Sequence, residues 1–407
     1  MTFRILSLDG GGPWALLQAL ALERLYPGLD GHEILARFDL AIANSGGSIT
    51  LAGLAKGLQP AEIGALFRER QWRDQIFVRR NRIDQLAHDQ LAGWSGDGKQ
   101  AGLKAVIDAG LDEPLSSQGL SDVARVIERK TGKLPWLMIA AYDLDRNRGR
   151  FFRSFQSALA TENPAFEPCL ADAVHASSHA PVVFFSGYAT VRDRNKPDDV
   201  RRFWDGALGG MNNPVLAGVI EARAHGHEDI AALAIGTSAT WRPIVPASAA
   251  VHPELVAQAA SLGLVDGLRR VAGTILDDPP DNATRDADIL ASTASQMRVI
   301  RLNPLVQPVR DDAIEGGRWR LPNGYATIRA ANPIGAFVEL RDLPMDAVDQ
   351  PQIDLIAAMG TSWMADDIPN QPLLWNPTDG TFLRGHPLFS AALAGWRLLD
   401  PWRPGGF

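Results

Sequence analysis

The chain has 407 residues, room for one large α/β domain or two ordinary ones. Its composition, 46% hydrophobic and 21% charged, excludes a disordered chain, and a formal net charge of −7 leaves no excess of cations for general nucleic-acid binding. The single cysteine, Cys169, excludes an intrachain disulfide and a cysteine-based zinc site, and it fits a reducing compartment.

Taken in chain order, apolar runs alternate with helical patterns up to about residue 240. The strands expected from these runs are Phe3–Leu8, Phe38–Ala43, Trp136–Asp143, Arg150–Phe155, Phe203–Trp204 and Ile230–Ile235. The helices expected between them are Leu16–Leu25, Gly46–Gly57, Ala61–Arg70, Gly119–Lys130, Cys169–Ser178 and Pro214–Ala224. This alternation predicts an α/β fold, a three-layer α/β/α sandwich around a mainly parallel central sheet. Residues 245–295 read as mostly helical and polar, with a loop at Asp277–Asp281, followed by a late strand at Met297–Leu302 and a last long helix at Gln352–Ala365. From Pro369 the chain turns rich in proline and tryptophan, so a largely irregular tail is expected, with a helical piece near Leu388–Leu398. Met1-Thr2-Phe3-Arg4 lacks the apolar stretch of a signal peptide, and no apolar run reaches the about 18 residues needed to span a bilayer. A cytoplasmic protein is expected, with non-classical secretion left open.

The first strand ends in Asp9-Gly10-Gly11-Gly12, directly before a helix. Such a loop aims backbone N–H groups at one point, where the helix dipole favours negative charge. Gly10-Gly11-Gly12-Pro13-Trp14-Ala15 formally matches a dinucleotide fingerprint, which also needs an acid at the end of the second strand. That strand ends instead in Ala43-Asn44-Ser45-Gly46-Gly47, one residue away from the G-x-S-x-G turn that exposes a nucleophilic serine. Ser48 is a weaker choice, because its second neighbour is the β-branched Thr50. No histidine stands in an obvious strand-end loop after a suitable acid. Asp205, at the end of Phe203-Trp204 and before Gly206, is the better candidate for a base. Asp-Gly occurs six times in the chain, so position rather than the dipeptide singles it out.

In this order, Asp9–Gly12, Ala43–Gly47 and Asp205–Ala207 resemble the D-G-G-G, G-x-S-x-G and D-G-[GA] motifs of the patatin-like phospholipase family. Ala171–Pro181, Asn212-Asn213-Pro214 and Leu233–Ser238 resemble its further segments, so the likeness runs over roughly residues 3 to 366. The resemblance implies a Ser45–Asp205 dyad, an oxyanion hole from the N–H groups of Gly10, Gly11 and Gly12, and hydrolysis of phospholipids or related acyl lipids through an acyl-serine. It implies no cofactor and no metal, and a lipid substrate with peripheral membrane contact. Two positions depart from the pattern: Trp14 and Ala15 follow Pro13 where the family has Arg then Gly, and Ala43 replaces the first elbow glycine. A catalytically silent relative that binds lipid or a protein partner, and a nucleotide-binding α/β protein, are the rival readings.

The expected organisation is a catalytic domain over residues 1–368, with 60–118 as a lid or cap insertion, and a docked tail over 369–407. His175 and His179 share a helix face but lack a third metal ligand nearby, and read as structural. The arginines of Arg68–Arg73 and Phe77–Arg82 read as a solvated helix pair, with a membrane-facing patch as the alternative.

Overall fold

The computed structural model describes residues 2–79, 94–159, 166–181, 184–185, 187–257, 279–292, 296–311, 318–376 and 382–400. Its centre is an eight-stranded, mainly parallel sheet flanked by helices. The strands are β1 (Phe3–Leu8), β2 (Leu40–Ala43), β3 (Trp136–Asp143), β4 (Arg148–Arg153), β5 (Ala189–Arg192), β6 (Val200–Asp205), β7 (Ile230–Ile235) and β8 (Val299–Leu302). Their order is β5-β6-β3-β2-β1-β7-β8, with β4 also paired to β3. β1 is parallel to β2 and β7, β2 to β3, and β7 to β8. β1, β2 and β7 are apolar on nearly every residue because both faces of a parallel sheet are covered by helices.

The helices used below are α1 (Leu16–Leu25), α2 (Ser45–Lys56), α3 (Pro60–Arg68), α4 (Arg70–Ile76), α5 (Gly96–Asp108), α6 (Leu120–Thr131), α7 (Leu170–Ser177), α8 (Val215–Ala224), α9 (Pro279–Ala291), α10 (Gln350–Met364) and α11 (Phe389–Leu399). The expected helix Ala61–Arg70 is two, because Glu69 takes an extended conformation between α3 and α4. The expected strand Phe38–Ala43 is shortened at its start, where the Phe38 N–H closes a turn onto the Leu35 carbonyl. The short run Phe203–Trp204 grows into the six-residue β6, whose exposed Arg202 and half-buried Trp204 lie on the face opposite buried Arg201, Phe203 and Asp205. β5 and α5 were missing from the sequence reading. The loop expected at Asp277–Asp281 is corrected from Pro279 onward, where α9 begins; residues 277 and 278 lie outside the described residues. The helical content expected over 245–295 reduces, before α9, to two single 3-10 turns at Ala247–Ala249 and Pro253–Leu255, with 258–278 outside the described residues.

β3 is the template on which the site is built. β4 occupies one edge of β3 along Met138–Asp143. The other edge is shared end to end: β2 pairs with Trp136–Ile139, and β6, running the opposite way, pairs with Ala141–Asp143. The C-terminal ends of β2 and β6 therefore face each other, with Ala43 opposite Ile139 and Asp205 opposite Ala141. Residues that follow β2 and residues that end β6 must meet.

After α10, Asn370 bonds the N–H of Asn303, the Trp363 indole and the carbonyls of Arg301 and His386. Leu374–Trp375 and Phe382–Arg384 pair as two short antiparallel strands in the stretch expected to be irregular. α11 buries Trp396, whose ring stacks on Phe38 at 5.7 Å and whose N–H donates to the Tyr26 hydroxyl at 2.7 Å. Residues 401–407, including Trp402, lie outside the described residues.

Candidate active site

Ser45 is the first residue of α2 and stands at φ 48°, the left-handed region that an L-residue enters only at a cost of about 1–3 kcal/mol. This is the sharp strand-to-helix turn expected from A-N-S-G-G. Its small neighbours are required by contact: a Cβ on Gly46 would lie 2.5 Å from the Gly12 carbonyl oxygen, and one on Gly47 would lie 2.4 Å from that of Leu8. The Ser45 N–H donates to Ser177 Oγ at 2.9 Å, which ties the elbow to the end of α7.

Asp205 ends β6 and is buried at 2% exposure. Ser45 lines the same pocket as this carboxyl group. Asp205 Oδ1 accepts from Asn44 Nδ2 and from the Ala207 N–H, both at 2.9 Å. Gly206 is dictated by space, since a Cβ there would lie 2.4 Å from Asn44 Oδ1 and 2.9 Å from the Ala140 Cβ. Burial pushes the Asp205 carboxyl up from the ordinary carboxylate range, while the nearby Ser45 hydroxyl, the bonds from Ala207 and Asn44 and the charge of Lys99 pull it back.

The glycine loop lies directly against the elbow. A Cβ on Gly10 would sit 2.9 Å from the Ser45 Cβ, and Gly11 and Gly12 both have positive φ. One expectation is corrected here. The Gly10 N–H donates to the Asn212 carbonyl at 2.8 Å, and an amide has only one hydrogen to give. Gly11 and Gly12 keep N–H groups without a partner among the described residues. Beneath the loop, Asp9 forms a buried ion pair with Arg301 at 2.6 Å. Only glycine fits at these two positions, since a Cβ at Gly11 or Gly12 would meet Thr237 Oγ1 at 2.2 Å or the Met345 carbonyl oxygen at 2.5 Å.

A pocket opens on Ser45, Gly12, Gly46 and Asp205, walled by Ile49, Phe77, Trp94, Phe184, Phe185 and Met345. Its remaining polar lining includes Lys99, Ser178 and Asp346. Trp14, which stands where the family pattern has arginine, is buried in the core and donates its N–H to the Pro344 carbonyl at 3.2 Å. Sequence reasoning missed Asn44, Ser177 and Lys99. Asn44 stood inside the quoted elbow and Ser177 inside the small-residue helix, whereas nothing near Lys99 signalled burial.

The histidine pair lies nearby, with His175 and His179 at 5.1 Å between ring centroids. Among the described residues, no group of three or more His, Cys, Asp or Glu is placed to hold a metal ion. The arginine cluster is dispersed: Arg73 turns inward to the Phe67 and Arg68 carbonyls and Gln350, Arg70 pairs with Asp74 at 3.0 Å, and Arg79 pairs with Asp349 at 2.7 Å. Arg80 to Arg82 lie outside the described residues, as does the rest of 80–93 within the expected lid. Among the described residues, no helix is long and apolar enough to cross a membrane.

The model of the patatin-like phospholipase family matches residues 6–239, more than half of the chain. The protein belongs to the patatin-like phospholipase family. It is 30% identical over 227 residues to a cGAMP-activated phospholipase of Pseudomonas aeruginosa, covering 54% of this chain and 57% of that protein. The match thus spans little more than half the length of the relative. Among solved structures it is similar to VipD from Legionella pneumophila, at 11% identity and a TM-score of 0.35, over 88% of this chain and 67% of VipD. It is also similar to ExoU in the SpcU–ExoU complex of the Pseudomonas aeruginosa type III secretion system, at 12% identity and a TM-score of 0.25, over 72% of this chain and 53% of that one.

Proposed function

We propose that this protein is a lipid acyl hydrolase in which Ser45 is the nucleophile and Asp205 its base, acting on phospholipids or related acyl lipids. The observation that carries the reading is a strained serine and a buried carboxyl group lining one apolar-walled pocket. Asp205 takes the Ser45 hydroxyl proton as Oγ attacks the ester carbonyl. The N–H groups of Gly11 and Gly12 receive the negative charge that builds on the carbonyl oxygen, with the start of α2 adding its dipole. When the tetrahedral intermediate collapses, the alcohol leaves with the proton from Asp205 and the acyl group stays on Ser45. Water then attacks the acyl-serine, gives a proton to Asp205 and releases the fatty acid, and that proton returns to Ser45. Asn44 and the Ala207 N–H hold the carboxylate in place through its Oδ1.

A fluorogenic ester assay and a fluorophosphonate probe test this together. Wild type is labelled and active. Ser45→Ala is unlabelled, and Ser45→Ala and Asp205→Asn each lose about 10³-fold or more in kcat. Equal rates in all three proteins would remove the dyad, and folded protein that never labels would favour the silent, lipid-binding alternative. Arms with and without cGAMP belong in the assay, since the Pseudomonas relative is activated by it.

A further inference from the structure

Lys99 lies in the first turn of α5, which Ser95 caps by accepting the Gly98 N–H at 3.1 Å. A lysine so near a glycine-rich helix start would ordinarily reach for water. Here it turns inward and is 1% exposed. Its Nζ donates to the Ser178 carbonyl and lies 4.6 Å from the centre of the Phe185 ring. An ammonium has three N–H donors. Ser178 takes one, the ring face shares the charge without accepting a conventional bond, and Asp205 is the carboxylate whose charge acts on it. Ser178 precedes His179, whose carbonyl accepts the Asp205 N–H at 3.0 Å. Two consecutive carbonyls therefore hold the ammonium and the carboxylate-bearing strand end in one place. Lys99 is the only cationic side chain among the described residues that line this pocket.

The other titratable groups nearby are accounted for. His175 and His179 come from α7 and the residues after it, and burial holds the His175 ring well below its ordinary value, hence neutral. The His179 ring stacks on Phe185 at 4.7 Å. Asp346 accepts the Trp94 indole N–H at 2.8 Å, and Arg79 lies over Trp94 at 5.5 Å while pairing with Asp349.

We propose that Lys99 is a positioning residue of this active site: its ammonium, held by the Ser178 carbonyl and the Phe185 ring in the pocket that Asp205 lines, helps keep Asp205 ionised as the base. This deepens the hydrolase reading and rests on it. A carboxylate taken out of water with no countercharge binds a proton instead, and a neutral carboxyl cannot accept one from Ser45. In this chain, the cation that the family pattern places just after the glycine loop is absent, and α5 brings one from elsewhere.

The rising limb of kcat/KM against pH reports the ionisation of Asp205. The test is this profile on a fluorogenic short-chain ester, read after adjustment to one pH, for wild type, Lys99→Met, Lys99→Arg and His179→Asn. Lys99→Met should move the rising limb to higher pH, with about tenfold lost on that limb for each unit moved. Lys99→Arg and His179→Asn should keep the limb where wild type has it. A folded Lys99→Met whose rising limb stays in place, whatever its rate, overturns the proposal. Wild-type turnover that depends on Ser45 and Asp205, with an unmoved Lys99→Met profile, overturns only the role of Lys99. Absence of Ser45-dependent turnover overturns the hydrolase reading and this role together.

Discussion

The backbone of Ser45 and the burial of Asp205 both work against the stability of the fold. A carboxyl group whose value is raised by folding binds protons more tightly in the native than in the unfolded state. Stability from this group is therefore fully present in acid and falls as pH rises from about 4 through the raised native value. Asp205→Asn keeps an oxygen to accept from Asn44 and Ala207 and carries no charge. Urea melts from pH 4 to 7 should show wild type losing stability relative to Asp205→Asn as pH rises, so that the inactive variant is the more stable one at pH 7. Lys99 gives the opposite slope: its native value lies near 7 and its unfolded value near 10.5, so its contribution rises with pH between them. At this scale, Ser45 and Asp205 were legible because short motifs mark the tight turns that hold them. Lys99 was not, because Gly96-Asp97-Gly98-Lys99 reads as a solvated loop and its burial depends on Ser178 and Phe185, some 80 residues further on. The single bond that commits the Gly10 N–H to Asn212 was equally invisible, being a contact between two loops far apart in sequence.

Among the elements, β3 decides whether the site forms, because it holds β2 and β6 end to end. The joint is tight at Gly206, which lies over Ala140 and beside Asn44. Gly206→Ala should push β6 away from Asn44, lowering kcat at least about tenfold while costing only about 1–3 kcal/mol in a urea melt. A variant with full activity would mean that the strand ends tolerate a wider gap than this packing allows. The parallel core was readable because β1, β2 and β7 are uninterrupted apolar runs. β5 was hidden, since its two exposed positions hold Thr190 and Arg192, and a four-residue strand on the edge of the sheet has too few buried positions to show a pattern. α5 was hidden for a related reason: Gly96, Asp97 and Gly98 hide the helix start, and only Leu103, Val106 and Ile107 form an apolar face, beside the buried Lys99.

For the whole molecule, the pocket over Ser45 and Asp205 is bounded by large side chains from distant parts of the chain. Phe77, Trp94, Phe184, Phe185 and Met345 form the apolar wall that an acyl chain would lie against. Phe184→Ala opens this wall without touching the dyad or Lys99, and should raise the ratio of long-chain to short-chain ester turnover about tenfold. The end of the chain contributes to the same body, since Trp396 is 1% exposed and bonded to Tyr26. Trp396→Ala should cost about 3–5 kcal/mol in a urea melt. The ion pair beneath the glycine loop carries a different consequence. Arg301 belongs to β8, which begins some 60 residues after the family match ends, yet it neutralises Asp9 at the head of the loop. It also bonds Gln371, which in turn bonds Asn303. A fragment cut where the family segment stops would leave Asp9 as a buried charge without its countercharge, a loss of about 3–5 kcal/mol at the loop proposed to carry the oxyanion donors. Recombining this segment with a foreign C-terminal half would meet the same penalty unless the incoming half brought its own arginine, so the glycine loop and the strand that carries Arg301 must be exchanged as one unit.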